Sequence, residues 1–191
     1  MNITINQIEK ICQYYMKELW NDKFEIPVEI SPRLIRSLAY FRGVTSATGK
    51  RTSIKIVVSQ SALTNHSTST IINVIKHELT HYYLFKTGQN YRDGDKRFED
   101  ELIKIGSTST GTITKVGELY EVKCKCCNKV VMTTQERLTR KFVKKDSRYF
   151  TRCCESKMYL GDKIYAKDKN ARIEIPKSVL KILNLHIEEA V

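Results

Sequence analysis

The stretch VIKHELTHYY, residues 74–83, places two histidines four residues apart, with a glutamate directly after the first. In an α-helix, residues i and i+4 lie one turn apart on the same face, so His77 and His81 can direct imidazole nitrogens at one metal ion. Glu78 is rotated by about 100° from His77, which keeps it out of the coordination sphere but within reach of a water on that metal. The spacing therefore predicts two ligands and a general base on one helix.

A chance match to this HExxH pattern is the alternative, because its letters are common in ordinary helices. The surrounding residues favour the metal site: residues 79–80 between the histidines are uncharged, and residues 74–75 and 82–83 are apolar or aromatic. A helix exposed to solvent would carry charges at such positions. We therefore predict a zinc site in which the bound water has a pKa of about 7, and in which Glu78 removes its proton as it attacks a peptide carbonyl.

Apolar spacing elsewhere predicts a small mixed domain around this helix. The predicted elements are helices over residues 7–20, 69–86 and about 98–105, and strands over 26–31 and 53–63, with residues 33–43 open between strand and helix. Hydroxyl residues near Ser69 and Thr70 are suited to cap the start of the motif helix. The predicted fold class is therefore α+β, with helices packed on a small sheet.

An ordered set of segments carries a resemblance to a known family. The segments are IPVEISPRLIRSLAYFRG (26–43), SIKIVVSQSAL (53–63), IINVIKHELTHYYL (71–84) and YRDGDKRFEDELIKIG (91–106), followed by a cysteine-bearing tail. This set resembles the SprT-like family of Spartan-type zinc metalloproteases, from the first helix to about Gly161. The resemblance implies a zincin-like minimal metalloprotease domain with one catalytic zinc, followed by a small, basic, β zinc-ribbon-like domain. It also implies a protein substrate, bound to DNA in the family's best-known case.

The third ligand of the catalytic zinc is where the chain departs from that family. The family pattern places a third histidine shortly before a phenylalanine that opens the next helix. Aligning Phe98 with that phenylalanine puts Asp93 in the histidine's place. An aspartate is an acceptable zinc ligand, although its charge makes the bound water less acidic. The alternatives are that Asp93 or Asp95 only caps the following helix, that Asp95 or a nearby glutamate is the ligand, or that the site has two histidines alone.

Five of the six cysteines lie within residues 124–154, and such clustering favours metal binding over disulfides in a reducing compartment. We predict a structural zinc bound by Cys124, Cys127, Cys153 and Cys154. The first two form a C-x-x-C pair, but the second two are adjacent, where family members carry another C-x-x-C pair. When the residues after this pair, ESKMYLG, are matched to the family, Cys154 takes the place of the second cysteine of the family's C-x-x-C pair. Thr151 then stands where the first cysteine of that pair is expected, so Cys153 or Cys126 has to supply the fourth thiolate. A metal-free β appendage is the alternative.

The segment RLTRKFVKKDSRYFTR, residues 137–152, combines seven basic side chains with three aromatic rings. Cations that neutralise phosphates beside rings that stack on bases predict a nucleic-acid surface. The predicted contact residues are Arg137, Arg140, Lys141, Lys144, Lys145, Arg148 and Arg152. The alternative is a solvated hairpin whose aromatic residues pack on the ribbon.

The Gly-, Ser- and Thr-rich stretch 106–117 predicts a domain boundary. We therefore expect a metalloprotease domain over residues 1–110, the ribbon over 115–162, and a tail of strand plus short helix over 163–191. The tail is expected to dock on the rest of the protein.

Charge and hydropathy bear on partners and location. The net charge of +12 indicates a polyanionic partner, with nucleic acid as the first choice. No signal-peptide pattern and no apolar run of about 18 residues are present, so we expect a cytoplasmic protein, a monomer, without a membrane partner. Two functions remain open: a zinc-dependent peptidase, or a catalytically silent zinc protein that binds nucleic acid.

Overall fold

The structure is a computed structural model that describes residues 3–109, 116–134, 136–169 and 173–185. The chain forms two compact units: the first comprises Met1–Ile113 and Asn170–Val191, and the second comprises Thr114–Lys169. The chain therefore leaves the first unit, forms the second, and returns to the first. Residues 110–115 of the predicted linker lie outside the described residues, as does His186 near the end of the tail.

The first unit packs helices on a three-stranded sheet. Its elements before the second unit are α1 (Ile5–Trp20), β1 (Val28–Ser31), β2 (Ala39–Thr45), β3 (Arg51–Ser59), α2 (Gln60–Asn65), α3 (Thr68–Lys86) and α4 (Lys96–Lys104). The strand order is β1-β3-β2, with β1 parallel and β2 antiparallel to the central β3. The mixed helix and sheet content confirms the α+β prediction at this coarse level.

Two boundaries differ from the sequence prediction. The open segment 33–43 contributes a strand, β2, which begins at Ala39. The strand predicted over 53–63 ends at Ser59, because the Ser59 side chain accepts a hydrogen bond from the Ala62 N–H and starts the short helix α2. Ser59, a polar residue at a strand end, therefore acts as a helix cap.

The core of the first unit surrounds α3. The apolar face of α1 contributes Ile8, Ile11 and Met16, none of which is exposed to solvent. They share one cluster with buried residues of β3 and α3, including Ile56 and Leu79. Since most of α3 from Ser69 to Phe85 is buried, the motif helix is a central element, and its polar residues are held in an apolar environment.

The second unit contains a separate antiparallel sheet of order β5-β4-β6. Its elements are β4 (Gly117–Cys124), β5 (Val130–Thr134), α5 (Glu136–Val143) and β6 (Met158–Ala166). The hairpin considered for residues 137–152 is wrong for its first part, because residues 136–143 are helical. The helix α5 has a strongly amphipathic sequence and packs against β4 and β6. The strand β6 continues past residue 162, to Ala166.

The last described segment returns to the first unit. Helix α6 (Lys177–Leu183) buries Val179 and Leu183 in the core around α1. The Gln7 side chain donates a hydrogen bond to the Ile182 carbonyl at 3.3 Å. Residues 173–176 have no regular secondary structure, so the strand expected before the tail helix does not form there. The Ile173 N–H donates a hydrogen bond to the Ser69 hydroxyl at 2.6 Å. No helix among the described residues is long and apolar enough to span a bilayer. The monomeric state and the cytoplasmic location stay predictions.

Candidate metal centre

Helix α3 brings the two motif histidines together. The Nε2 atoms of His77 and His81 lie 3.1 Å apart. His77 is buried, with 1% of its side chain exposed, whereas 12% of the His81 side chain is exposed. The ring of Phe98 on α4 stacks on His81 with centroids 4.2 Å apart and meets His77 edge-on at 5.1 Å. Phe98 therefore restricts the orientation of both imidazoles. The apolar helical spacing that includes Phe98 did not predict these ring contacts.

Asp93 completes the cluster from the turn between α3 and α4. Its Oδ1 atom lies 3.1 Å from His77 Nε2 and 3.6 Å from His81 Nε2. One donor atom from each of the three residues lies within 4.8 Å of the others. Two imidazole nitrogens and one carboxylate oxygen are a donor set that zinc accepts, and they leave a fourth position for water. These three residues therefore have the chemistry and the spacing to hold a zinc ion.

The neighbouring carboxylates have other roles. Asp95 Oδ2 accepts a hydrogen bond from the Arg92 N–H at 2.9 Å, and Glu99 Oε1 accepts one from the Gly94 N–H at 2.9 Å. Gly94 has φ +80°, a conformation that favours glycine, so the turn is tight. Asp95 occupies the N-cap position of α4 without a side-chain capping bond. These contacts favour Asp93 over Asp95 as the group that faces the histidines.

Burial and contacts within the cluster set the protonation of its three residues. Burial, with the nearby His81, lowers the pKa of His77 to about 4, so its imidazole is neutral. A hydrogen bond to His81 leads the effects that lower the pKa of Asp93, which is therefore ionised. Burial opposes a charge on His81, but the hydrogen bond to Asp93, the Glu78 carboxylate and the Tyr91 carbonyl outweigh it and raise its pKa. A metal that bound here would displace that proton.

Backbone groups contact both histidines. His81 Nδ1 bonds to the Tyr91 carbonyl, and His77 forms a hydrogen bond with the Thr108 backbone. A carbonyl acceptor on one imidazole nitrogen fixes the tautomer and leaves the other nitrogen free to ligate. Neither backbone contact could be identified from the sequence, because every residue type has the same backbone groups.

Glu78 lies next to this cluster and is fully surrounded by protein. Its Oε2 atom accepts a hydrogen bond from the Phe41 N–H of β2 at 2.7 Å. Burial is the main cause that raises the pKa of Glu78 to about 7. A carboxylate with a pKa near the working pH can both accept and return a proton.

The four predicted cysteines of the second unit also converge. The Sγ atoms of Cys124, Cys127, Cys153 and Cys154 all lie within 4.8 Å of one another. Cys124 ends β4, Cys127 lies in the following turn, and the adjacent pair lies in the turn before β6. Of the two candidates for the fourth thiolate, the structure brings Cys153 into this set, and its Sγ lies 3.6 Å from that of Cys127. Four thiols at this spacing fit a tetrahedral zinc ion.

Thr151, at the position of the missing cysteine, contacts the cluster. Its hydroxyl lies 3.3 Å from Cys124 Sγ. This hydrogen bond is the main cause that lowers the pKa of Cys124 to about 6, which favours the thiolate that a metal needs. Contacts with the Cys127 and Cys126 thiols raise the pKa of Cys154.

The basic segment of the second unit is exposed and partly aromatic. The exposed cations are Arg140, Lys141, Lys144, Lys145, Arg148 and Arg152, while the side chain of Arg137 lies outside the described residues. Lys141 Nζ lies 5.1 Å from the centre of the Tyr149 ring, and Tyr149 packs on Phe142 at 5.1 Å. Phe150 remains 56% exposed. Phe142 and Tyr149 thus pack on each other, whereas Phe150 faces solvent. The packed pair agrees in part with the alternative in which the aromatic residues of this segment pack within the second unit.

A cavity lies beside this segment. It has a volume of about 730 Å³ and is lined by Lys129, Val130, Phe142, Tyr149, Phe150 and Arg152, among others. Aromatic walls with cations at the rim can accommodate a flat, anionic ligand.

Comparisons with known proteins agree with this site. Residues 8–118 match the sequence model of the SprT-like family. A SprT-like protein from Bacillus velezensis is 33% identical over 99 residues, which is 48% of this chain and 66% of that protein. The counterpart from Lactiplantibacillus plantarum is 31% identical over 111 residues (54% and 75%), and that from Streptococcus mutans is 30% identical over 74 residues (38% and 51%). The alignments thus cover between half and three quarters of these relatives' own length. No solved structure shows a significant match.

Proposed function

The chain belongs to the SprT-like family, and we propose that it is a zinc-dependent metalloendopeptidase of zincin-like architecture. The observation that supports this most is the convergence of His77, His81 and Asp93 beside the buried Glu78. Three ligands and one carboxylate of raised pKa are the parts that peptide hydrolysis by an activated water requires.

Each residue has a distinct role in this mechanism. His77, His81 and Asp93 would hold a zinc ion, and Phe98 keeps the two imidazoles in place. Such an ion would supply Lewis-acid chemistry at the scissile carbonyl and at the attacking water. Glu78, held by the Phe41 N–H, accepts the proton of the attacking water and returns it to the leaving amine. In the second unit, the thiols of Cys124, Cys127, Cys153 and Cys154 would hold a second, structural zinc ion.

We further propose that the protein substrates are associated with nucleic acid. The exposed cations of residues 140–152 neutralise phosphates, and the exposed Phe150 ring beside the cavity stacks on a base. Binding there would raise the local concentration of substrate near the catalytic unit. The net charge of +12 supports a polyanionic partner.

A second candidate is a catalytically silent nucleic-acid-binding protein. The observation in its favour is Asp93, whose negative charge reduces the electrophilicity of a metal held at this site compared with a third histidine. In that case the second unit alone would carry the function.

The substitution Glu78→Gln separates the two candidates. We expect cleavage of a protein crosslinked to single-stranded DNA to fall by about 100-fold or more, because a general base contributes about 10²–10⁴ to the rate. Zinc content and DNA affinity should not change. The matched control is Glu18→Gln, which alters an exposed glutamate of α1. Cleavage that survives Glu78→Gln contradicts the mechanism, whereas DNA binding without any cleavage by the unmodified protein favours the silent candidate.

A further inference from the structure

Arg51, at the start of β3, lies outside the candidate metal centre but contacts the segment that shapes it. One guanidinium nitrogen, Nη1, donates to the Gln89 carbonyl at 2.8 Å and to the Phe85 carbonyl at 3.3 Å. Phe85 is near the end of α3, and Gln89 belongs to the segment that follows. A single side chain of the sheet thus fixes the point at which the chain leaves the motif helix.

The same guanidinium packs against two aromatic rings. Its Cζ atom lies 5.3 Å from the centre of the Phe85 ring and 5.7 Å from that of Tyr91. The two rings meet edge-on with centroids 5.0 Å apart. A planar cation can stack on aromatic faces while its N–H groups bond to carbonyls, which a lysine cannot do. These contacts hold Tyr91 against the end of α3.

Tyr91 transmits this constraint to the ligands. Its carbonyl bonds to His81 Nδ1, and Asp93 follows it by two residues in the same segment. If the Tyr91 backbone moves, His81 loses the acceptor that fixes its tautomer, and Asp93 moves away from the two Nε2 atoms. Outer contacts of this kind change metal affinity by about 10–100-fold in other proteins.

We propose that Arg51 is a positioning residue for the metal centre: through Tyr91 it orients His81 and sets the distance of Asp93 from the two histidines. This inference rests on the proposed metal centre. It assigns Arg51 no contact with substrate or metal. Its contribution comes from the geometry of the guanidinium fork and plane, and not from its charge alone.

The test compares Arg51→Met and Arg51→Lys with Arg42→Met in the full-length protein. Arg42 is an exposed arginine on the adjacent strand β2, so its replacement removes the same charge. Zinc affinity of the histidine site is measured by competition with a chelator, and the tautomer of His81 in the metal-free protein by ¹⁵N NMR. We expect affinity to fall by about 10–100-fold in Arg51→Met, somewhat less in Arg51→Lys, and not in Arg42→Met.

The tautomer measurement separates this inference from the proposed function. The spectra are recorded at a pH above the raised pKa of His81, where its imidazole is neutral. We expect His81 in Arg51→Met to populate both neutral tautomers there, whereas in the unmodified protein the Tyr91 carbonyl keeps the proton on Nδ1. Unchanged affinity together with an unchanged tautomer overturns the role of Arg51. If the unmodified protein binds no zinc through its histidines, the proposed metal centre fails, and the tautomer still decides whether Arg51 positions His81. If Arg51→Met does not fold, Tyr91→Leu removes one of the two stacked rings and is expected to weaken zinc binding in the same direction.

Discussion

The two candidate metal sites differ in what surrounds them. The histidine ligands lie on a 19-residue helix that is buried in the core of the first unit. The cysteines lie on turns at strand ends of the second unit, where the fully or largely buried apolar residues are few: Val116, Leu119, Val122, Cys124 and Met158. A large core can orient ligands before a metal arrives, whereas a small unit needs the metal to hold its turns together. We therefore propose that the first unit positions its candidate metal ligands without metal, whereas a metal ion at the cysteine site would stabilise the fold of the second unit.

The largest effect should follow removal of metal from the second unit. A structural zinc contributes about 10–16 kcal/mol in zinc-finger peptides, more than a small unit gains from its own core. After treatment with a strong chelator, we expect amide exchange in β4, β5 and β6 to approach that of an unfolded chain while α3 stays protected. Mass-spectrometric hydrogen exchange measures both units in one sample.

Two cysteines of one turn provide the matched variants for this experiment. Cys127→Ser removes a member of the four-thiol set, whereas Cys126→Ser alters an exposed neighbour outside it. Only the first should lose zinc and protection. Protection of β4 to β6 that persists in the chelated protein would support the metal-free β appendage instead.

Asp93→Ala should give the next largest effect, confined to the first unit. Zinc content should fall from two ions per chain to one, because the histidine site loses its anionic ligand. The melting temperature of the metal-free protein should fall only slightly, because the variant loses the ion pairs of Asp93 with the histidines but 64% of that side chain is exposed. Elemental analysis of protein purified without chelator measures the stoichiometry. Asp100→Ala, an exposed carboxylate of α4, is the control, and two ions retained in Asp93→Ala would leave the ligand role unsupported.

Asn73→Ala should have a smaller effect on the same site. The Asn73 amide donates to Thr108 Oγ1 at 2.7 Å and accepts from the Ser107 hydroxyl at 2.9 Å and from the Thr108 N–H at 3.2 Å. These bonds hold the backbone that contacts His77. We expect a loss of about 1–3 kcal/mol in the free energy of unfolding and about tenfold weaker zinc binding. Denaturant unfolding and chelator competition measure the two effects. Asn65→Ala on α2 is the control, and equal zinc affinities of the two variants would refute the link to His77.

The smallest effect should come from Glu101, which contributes to the free energy of unfolding of the first unit in the absence of metal. Burial alone would raise the pKa of Glu101, but hydrogen bonds from Trp20, Arg97 and Lys104 outweigh it and lower the pKa below its ordinary 4.5. A lowered pKa in the folded state stabilises the protein above pH 4.5, and this contribution is lost as the pH falls through the folded-state value. We expect Glu101→Gln to cost about 1–2 kcal/mol at neutral pH and to show a weaker loss of stability in acid. Urea unfolding from pH 3 to 7 tests this, with Glu18→Gln as the control; parallel curves would contradict it.

The sequence predicted the sites better than the elements that carry them. Helical spacing alone placed His77 and His81 on one face and Glu78 about 100° from His77, because an α-helix fixes the relative positions of nearby residues. The alignment of Phe98 led to Asp93, and the structure brings that carboxylate to the two histidines. The prediction failed where tertiary contacts or local caps decide: Ser59 ended a strand early, and an amphipathic helix formed over 136–143, in the segment for which a hairpin was the alternative.

The sequence by itself determined the chemistry that we propose for this protein: the types of the candidate ligands, their local spacing, and the candidate general base. Only the tertiary structure decided which groups orient them. The Phe41 N–H, the Tyr91 carbonyl and the Thr108 backbone all act through main-chain atoms, and every residue type has those. Arg51 reaches its partners across more than 30 positions of sequence. Contacts of that kind depend on how the sheet and helices pack, which the pattern of residues along one element cannot encode.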